Sequence, residues 1–226
     1  LLTMVKTIVV FDHHRQSSET IQGAVLSYCE PYASSASELI AEMMQYIREG
    51  IKAKPIEADC MYGGIVIDTR EFTNQTGVRT FEAAAYLRRC GADIVRIRKI
   101  FREDFSDYQA KAHAISAADI YRNAFALSSV ERAGSESPTV LCAKAANELL
   151  NIRVIKASVV LTKVEDTVFL SARSIDEVNV QVLMEKLGGG GHRTVAGAQI
   201  QNSTVEECIQ KVKAAIDEMI EEGEVE

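Results

Sequence analysis

The 226 residues, 24.8 kDa in all, suffice for one large domain or two small ones with real apolar cores. A net charge of -7 and a pI near 5.3 argue against broad electrostatic binding to duplex DNA, but leave room for a locally positive pocket that takes a small phosphorylated ligand. Five scattered cysteines with no C-x-x-C pair argue against thiolate zinc or thioredoxin-like chemistry and for a reduced, cytoplasmic setting, and no run is apolar enough to span a bilayer or act as a signal peptide.

In chain order, residues 5–11 read as a strand, because Thr7-Ile8-Val9-Val10-Phe11 is a β-branched apolar run. Asp12-His13-His14 stands at its end. Ser34 to Arg48 reads as a helix, with caps among Ser34, Ser35 and Ser37 and with Leu39, Ile40, Met43, Met44 and Ile47 at helical spacing. Ala58 to Ile67 fits a buried helix or a strand, and either delivers Asp68-Thr69 to its C-terminal end. Thr80 to Cys90 reads as a helix closed by Gly91. The basic residues Arg96, Arg98, Lys99 and Arg102 follow it and read as a solvated face. Residues 101–118 form a polar helical stretch suited to a linker.

The turn cluster Ala133 to Pro138 precedes a helix over Thr139 to Leu150. Ile152 to Leu161 and Thr167 to Ala172 read as a hairpin that turns near Glu165-Asp166. A short helix over Val178 to Leu187, a loop over Gly188 to His192 and an amphipathic helix over Thr204 to Ile220 close the chain. Alternating helices and strands over the first hundred residues suggest a parallel sheet, and the later hairpin with its flanking helices suggests a second α/β unit.

Three constellations carry chemistry. Carboxylate and imidazole side chains crowded at a strand end, as in Asp12-His13-His14, suit manganese, zinc or iron, and ligands gather at the carboxyl ends of strands in open α/β sheets. Asp68, which ends an apolar element, completes such a site or simply meets solvent; Gly63 and Gly64 before it permit close approach. Gly188-Gly189-Gly190-Gly191-His192 offers successive backbone N–H groups as an anion nest, with His192 as a donor, against the plainer reading of a flexible linker. Arg173 and Ser174, shortly before that loop, offer a planar fork and a hydroxyl for phosphate oxygens, and Asn179 an amide for a base edge.

Together these residues resemble the DHH phosphoesterase superfamily over nearly the whole chain. Asp12-His13-His14 is similar to its naming triplet, Gly64-Ile65-Val66-Ile67-Asp68-Thr69 to its later Asp motif, and Gly188 to His192 to the glycine-His loop of its associated C-terminal domain. Phe11-Asp12-His13-His14-Arg15, Glu30-Pro31-Tyr32-Ala33-Ser34-Ser35, Thr76-Gly77-Val78-Arg79-Thr80-Phe81, and Ser171-Ala172-Arg173-Ser174 followed by Val178-Asn179-Val180-Gln181 resemble its cyclic di-AMP phosphodiesterases most. The resemblance implies an α/β fold. Residues 1–102 would be a partial, parallel-sheet DHH domain, 103–118 a helical linker, and 119–226 a smaller mixed α/β DHH-associated domain that binds substrate.

The resemblance further implies a metal-dependent phosphodiesterase that hydrolyses cyclic di-AMP to linear pApA. Two manganese ions would activate a water for in-line attack on phosphorus and stabilise the attacking and leaving oxygens. Asp12, His13, His14 and Asp68 would be catalytic. His13 and Asp68 would ligate metal, Asp12 would orient ligands, and His14 would meet the substrate phosphate or assist proton transfer. Arg173, Ser174, Asn179, Gly190, Gly191 and His192 would hold the nucleotide, in a cleft between the domains. An oligoribonuclease acting on short RNA and a non-catalytic nucleotide-binding or dimerisation module stand as alternatives. Only Leu1 to Lys6 precede the apolar run Thr7 to Phe11, and the chain starts Leu1-Leu2-Thr3. The family's earlier His-x-x-x-Asp-x-Asp motif and a further Asp motif have no counterpart, so the chain is expected to be a fragment with an incomplete two-metal site. Its parent is expected to be membrane-anchored, with this part in the cytoplasm, and dimers are common in the family.

Overall fold

A computed structural model describes residues 4–14, 21–47, 50–131 and 137–223. Arg15, Arg48 and the turn residues 133–136 lie outside the described residues. The chain divides into two compact units, Leu1–Arg102 and Glu103–Glu226.

The first unit opens with β1 (Val9–Asp12), which pairs in parallel with β2 (Leu26–Cys29), so that Asp12 lies opposite Cys29. The run at 5–11 thus yields a shorter strand, displaced towards the triplet, with Asp12 as its last residue. Four helices follow: α1 (Ala36–Met44), α2 (Pro55–Asp68), α3 (Val78–Arg89) and α4 (Ile94–Ile100). The ambiguous apolar segment is helix α2, opened by Pro55 in its first turn. Ser35 caps α1 by accepting from the Glu38 amide at 3.0 Å. Gly91 ends α3 at φ +102, where the Ala92 amide donates back to Leu87 and the Gly91 amide to Arg88.

These helices close on a small core built from Ala41, Ala58, Ile65, Ala83, Leu87 and Ile97. Gly64 lets α1 and α2 touch, because an added Cβ would collide with the Ser37 hydroxyl. The basic run is more than a solvated face. Arg96 reaches buried Asp59 of α2 through Nε at 2.7 Å, and Asp59 also accepts from the Asp93 amide.

The second unit begins with α5 (Phe105–Ser116), the stretch expected as a linker, which packs on α6 (Pro138–Leu149). Its six-stranded mixed sheet has the order β3-β4-β5-β6-β8-β7: β3 (Asp119–Tyr121), β4 (Phe125–Ser129), β5 (Ala157–Val164), β6 (Thr167–Ser174), β7 (Gly190–His192) and β8 (Val195–Gln201). β4 and β5 run parallel, so the chain between them crosses over through α6. The β5–β6 hairpin turns at Glu165-Asp166 as expected, with Glu165 at φ +54. β5 starts only at Ala157, because Ile152 and Ile155 sit in turns that follow α6.

Strand alternation sorts the sheet into two faces. Val159, Leu161, Leu170, Ala172, Ala196 and Ala198 pack with α7 (Val180–Glu185) and α8 (Val205–Glu221). On the other face, Ala126 and Val160 pack with Leu141, Cys142 and Ala145 of α6. Thr204 and Glu207 form a reciprocal capping box at the start of α8.

One expectation fails here. Gly188 to His192 is not a loop throughout, since Gly190–His192 is the edge strand β7, antiparallel to β8. The two preceding glycines turn the chain out of α7, with the Gly188 amide donating to Glu185 and the Gly189 amide to Met184. Those two N–H groups are therefore committed to closing a helix, which removes them from an anion nest.

Candidate active site

In the first unit, three of the four expected catalytic residues are consecutive at the carboxyl end of β1. Asp68 arrives as the last residue of α2. His13 Nε2 stands 3.6 Å from Asp68 Oδ2, with the His13 side chain only 16% exposed. That separation is too long for a hydrogen bond. It is short enough for both atoms to ligate one divalent ion at about 2.0–2.2 Å each. A mostly buried imidazole facing a carboxylate across this gap is a donor pair of the right chemistry. Among the described residues no group of three or more His, Cys, Asp or Glu side chains converges to hold an ion.

Asp12 and His14 pair separately. His14 Nδ1 lies 2.7 Å from Asp12 Oδ1, and the His14 amide donates to the same oxygen at 3.1 Å. The bond to the His14 ring, followed by that to its amide, holds the Asp12 carboxyl below the usual carboxylate range. An ionised carboxylate only accepts, so the proton of this bond sits on Nδ1 and leaves Nε2 as the outward nitrogen. The His14 side chain is 78% exposed, so that nitrogen is open to solvent or substrate. The His13 and His14 rings lie 4.5 Å apart, centroid to centroid.

Neighbours that sequence reasoning missed hold this end of the unit. Cys29 Sγ donates to the His14 carbonyl, and the Glu30 amide to the Asp12 carbonyl at 2.9 Å. Thr69, fully buried, organises the chain after Asp68. Its hydroxyl donates to the Ile65 carbonyl at 2.6 Å and accepts from the Phe72 amide at 3.0 Å. Arg70, Glu71 and Phe72 then all take left-handed φ values, +46, +57 and +64. Each such non-glycine residue costs about 1–2 kcal/mol. Arg79 grips Glu42 through two bonds of 2.7 Å and approaches Glu30, which raises its already high pKa further.

In the second unit, the face of β6, β8 and β7 that carries Arg173 also carries Gly190 and His192, while Gly191 lies on the opposite face with Ala172 and Ala196. Register aligns Arg173, Val195 and His192 in one row, and Ser171, Gly197 and Gly190 in the next. The second row has almost no side chain and forms the floor of a depression of about 550 Å³, lined by Thr139, Phe169, Ser171, Gly190, Gly197 and Gln199. Gly189 and Gly191 serve packing, because a Cβ on either would overlap the backbone of β8. Gly190 has nothing within 4 Å of such a Cβ.

Two expected substrate residues have local duties. The Ser174 hydroxyl is buried and donates to the Val178 carbonyl at 2.7 Å. Asn179 caps α7, its side chain accepting from the Gln181 amide. Arg173 lies half-buried and donates to the Ala172 carbonyl at 2.8 Å. The period-2 spacing of Phe169, Ser171 and Arg173 in a strand puts the three on one face and could have pointed to the depression; the pairing with β8 was not readable.

Comparison with known proteins matches the DHH family, N-terminal domain, over residues 2–65 and the DHHA1 domain over residues 125–222. The chain is 44% identical over 99% of its length to the cyclic-di-AMP phosphodiesterase GdpP of Geobacillus thermodenitrificans, and covers 34% of that protein. It is 40% identical over 96% of its length to the cyclic-di-AMP phosphodiesterase PdeA of Listeria monocytogenes, covering 33% of it. The chain thus spans about a third of the length of the curated relatives it matches. A crystal structure of an exopolyphosphatase-related protein from Bacteroides fragilis shares the fold at a TM-score of 0.78 and 22% identity, over 93% of this chain and 63% of that one. No helix among the described residues is long and apolar enough to cross a membrane.

Proposed function

We propose, starting from a chain that belongs to the DHH family, that it is the catalytic portion of a divalent-metal-dependent phosphodiesterase that opens cyclic di-AMP to linear pApA. The observation that carries this reading is the His13–Asp68 pair at a strand end, in a chain 40–44% identical to proteins named for that activity. His13 and Asp68 would hold the ion, with manganese our choice of metal. A divalent ion, when bound, supplies Lewis-acid stabilisation to the charge on phosphoryl oxygens.

The chain's own residues do the rest. Asp12 fixes the tautomer of His14 and stays ionised to do so, leaving His14 Nε2 to take up a proton and, once protonated, to donate it to a phosphate oxygen. Arg173 and His192 flank the depression on the sheet face and take phosphate or base edges, Gly190 leaves room for the nucleotide backbone, and Gly191 acts by positioning, through its close packing on β8. Ser174 and Asn179 act by positioning: one ties the end of β6 to Val178, the other starts α7. The reading places the protein in the cytoplasm, with a homodimer as its assembly and no duplex DNA among its partners.

Chromatographic assay of cyclic di-AMP with and without added manganese tests this. Formation of pApA by the whole protein should require the ion and vanish in both His13→Ala and Asp68→Ala. Arg173→Ala should weaken nucleotide binding far more than metal binding. Turnover that persists in the two variants, or faster cleavage of linear dinucleotides than of the cyclic one, would overturn the assignment.

A further inference from the structure

We propose that the first unit carries a nucleobase-stacking subsite of its own, built by Tyr32, Phe72 and Phe81, beside the end of the unit that holds Asp12 and Asp68. It deepens the nucleotide reading above and rests on it.

A depression of about 600 Å³ is lined by Pro31, Tyr32, Phe72, Gln75, Thr76 and Phe81. Its wall is an ordered aromatic column. Buried Tyr62 meets Phe72 edge-on at 5.9 Å, and Phe72 stacks on Phe81 at 5.6 Å with 14° between the rings. The outermost ring, Phe81, is 57% exposed, and Tyr32 at the opposite rim is 91% exposed. A column that starts in the core and ends in water offers a rigid face for one more flat ring.

Among the described residues the lining contains no charged side chain. A phosphate would find no counter-charge there. A neutral base finds π faces, with the Gln75 amide and the Thr76 hydroxyl at the rim for its edges. Both walls are tied to the candidate catalytic residues. The Tyr32 amide donates to Glu30, whose own amide donates to the Asp12 carbonyl. Phe72 follows Asp68 by four residues, so their Cα atoms are at most about 14 Å apart even in an extended chain. The left-handed turn held by Thr69 shortens that distance and sets the Phe72 ring into the column. Arg79, bound to Glu42 and near Glu30, fixes the Tyr32 loop against α1 and α3. This gives a structural purpose to the Glu30–Ser35 and Thr76–Phe81 segments, which metal chemistry leaves unused.

The test is binding of AMP and of ribose 5-phosphate to this chain by calorimetry, with Phe81→Ala, Phe81→Leu and Tyr32→Ala. AMP should bind more tightly than the base-free sugar phosphate. Loss of one stacking partner should weaken AMP by about 5- to 150-fold and leave ribose 5-phosphate unchanged. Phe81→Leu keeps apolar packing while losing the π face, and Tyr32→Ala removes a side chain that the fold does not bury, so unfolding cannot imitate the result. Equal binding of the two probes, or AMP binding unaffected in all three variants, overturns the subsite. So does a change confined to sedimentation, which would mark the patch as a contact between copies. Failure of cyclic di-AMP turnover by the whole protein, with base-dependent AMP binding retained, would sink the activity assigned above and leave this subsite standing.

Discussion

Alanine at Gly189 and alanine at Gly190 should have opposite consequences, although the two residues are neighbours in a run of four glycines. A Cβ on Gly189 would overlap the Gly197 carbonyl oxygen and stand 2.6 Å from the Ala198 Cβ. Both belong to β8, which is paired on both sides by β6 and β7, so relief requires movement of paired backbone. Overpacking of this kind costs about 1–3 kcal/mol. For a chain of this length each kcal/mol moves Tm by about 2–4 °C, so Gly189→Ala should melt about 2–12 °C below the parent. Gly190→Ala meets nothing within 4 Å, and the reduced entropy of its unfolded chain gives a neutral to slightly stabilising change, at most about 1 kcal/mol. Its new methyl stands in the depression on the sheet face, so the loss should appear in nucleotide affinity. Scanning calorimetry and titration with cyclic di-AMP read the two effects separately. An unchanged Tm in Gly189→Ala would refute the packing reasoning, and a nucleotide affinity in Gly190→Ala equal to the parent's would refute the placement of ligand on this face.

Thr69→Val leaves the Phe72 amide without its acceptor, at a cost of about 1–3 kcal/mol. Amide exchange should quicken at Phe72 and Thr73 but not in α6, and uniform exchange across the chain would show that the hydroxyl does not hold the turn. The Asp59 carboxyl is held below the usual range, first by the Arg96 guanidinium and then by the Asp93 amide. A depressed folded pKa contributes stability above the unfolded value of about 3.9, and that stability is lost as pH falls through the folded value. The urea midpoint of the parent should therefore fall from about pH 5 downwards more steeply than that of Asp59→Asn; parallel profiles would remove Asp59 from the acid response.

Helices were legible where apolar spacing and caps coincided. α3 with Gly91, α6, and α8 with Thr204 lie within about two residues of their expected bounds. The segment before Asp68 was ambiguous because its residues are apolar almost all round. Exposed Ile56, Cys60 and Ile67 and buried Asp59 remove the periodicity that separates helix from strand. Strands β3, only three residues long, and β4, Phe-Ala-Leu-Ser-Ser, escaped the sequence reading, and so did β2, β7 and β8, for different reasons. β2 is four residues long, β7 is two glycines and a histidine, and β8 is rich in alanine and glycine, so none has β-branched character throughout. In the candidate site, residue identity marked Asp12, His13, His14 and Asp68, while pairing could not be read. Which histidine faces Asp68 and which faces Asp12 depends on where α2 ends relative to β1, a tertiary relation that no local pattern encodes.

Among the described residues strand β7 has a neighbour on one side only, and glycine surrenders more conformational freedom on ordering than any other residue. Its local opening free energy accordingly belongs at the low end of the chain's range. Any molecule seated against it adds the partners that this edge lacks, so the order of the edge becomes a function of ligand concentration. Departure of that molecule and loosening of the strand are then one coupled event. The residence time of a bound nucleotide would be governed by how often three residues at the margin of a sheet let go of β8.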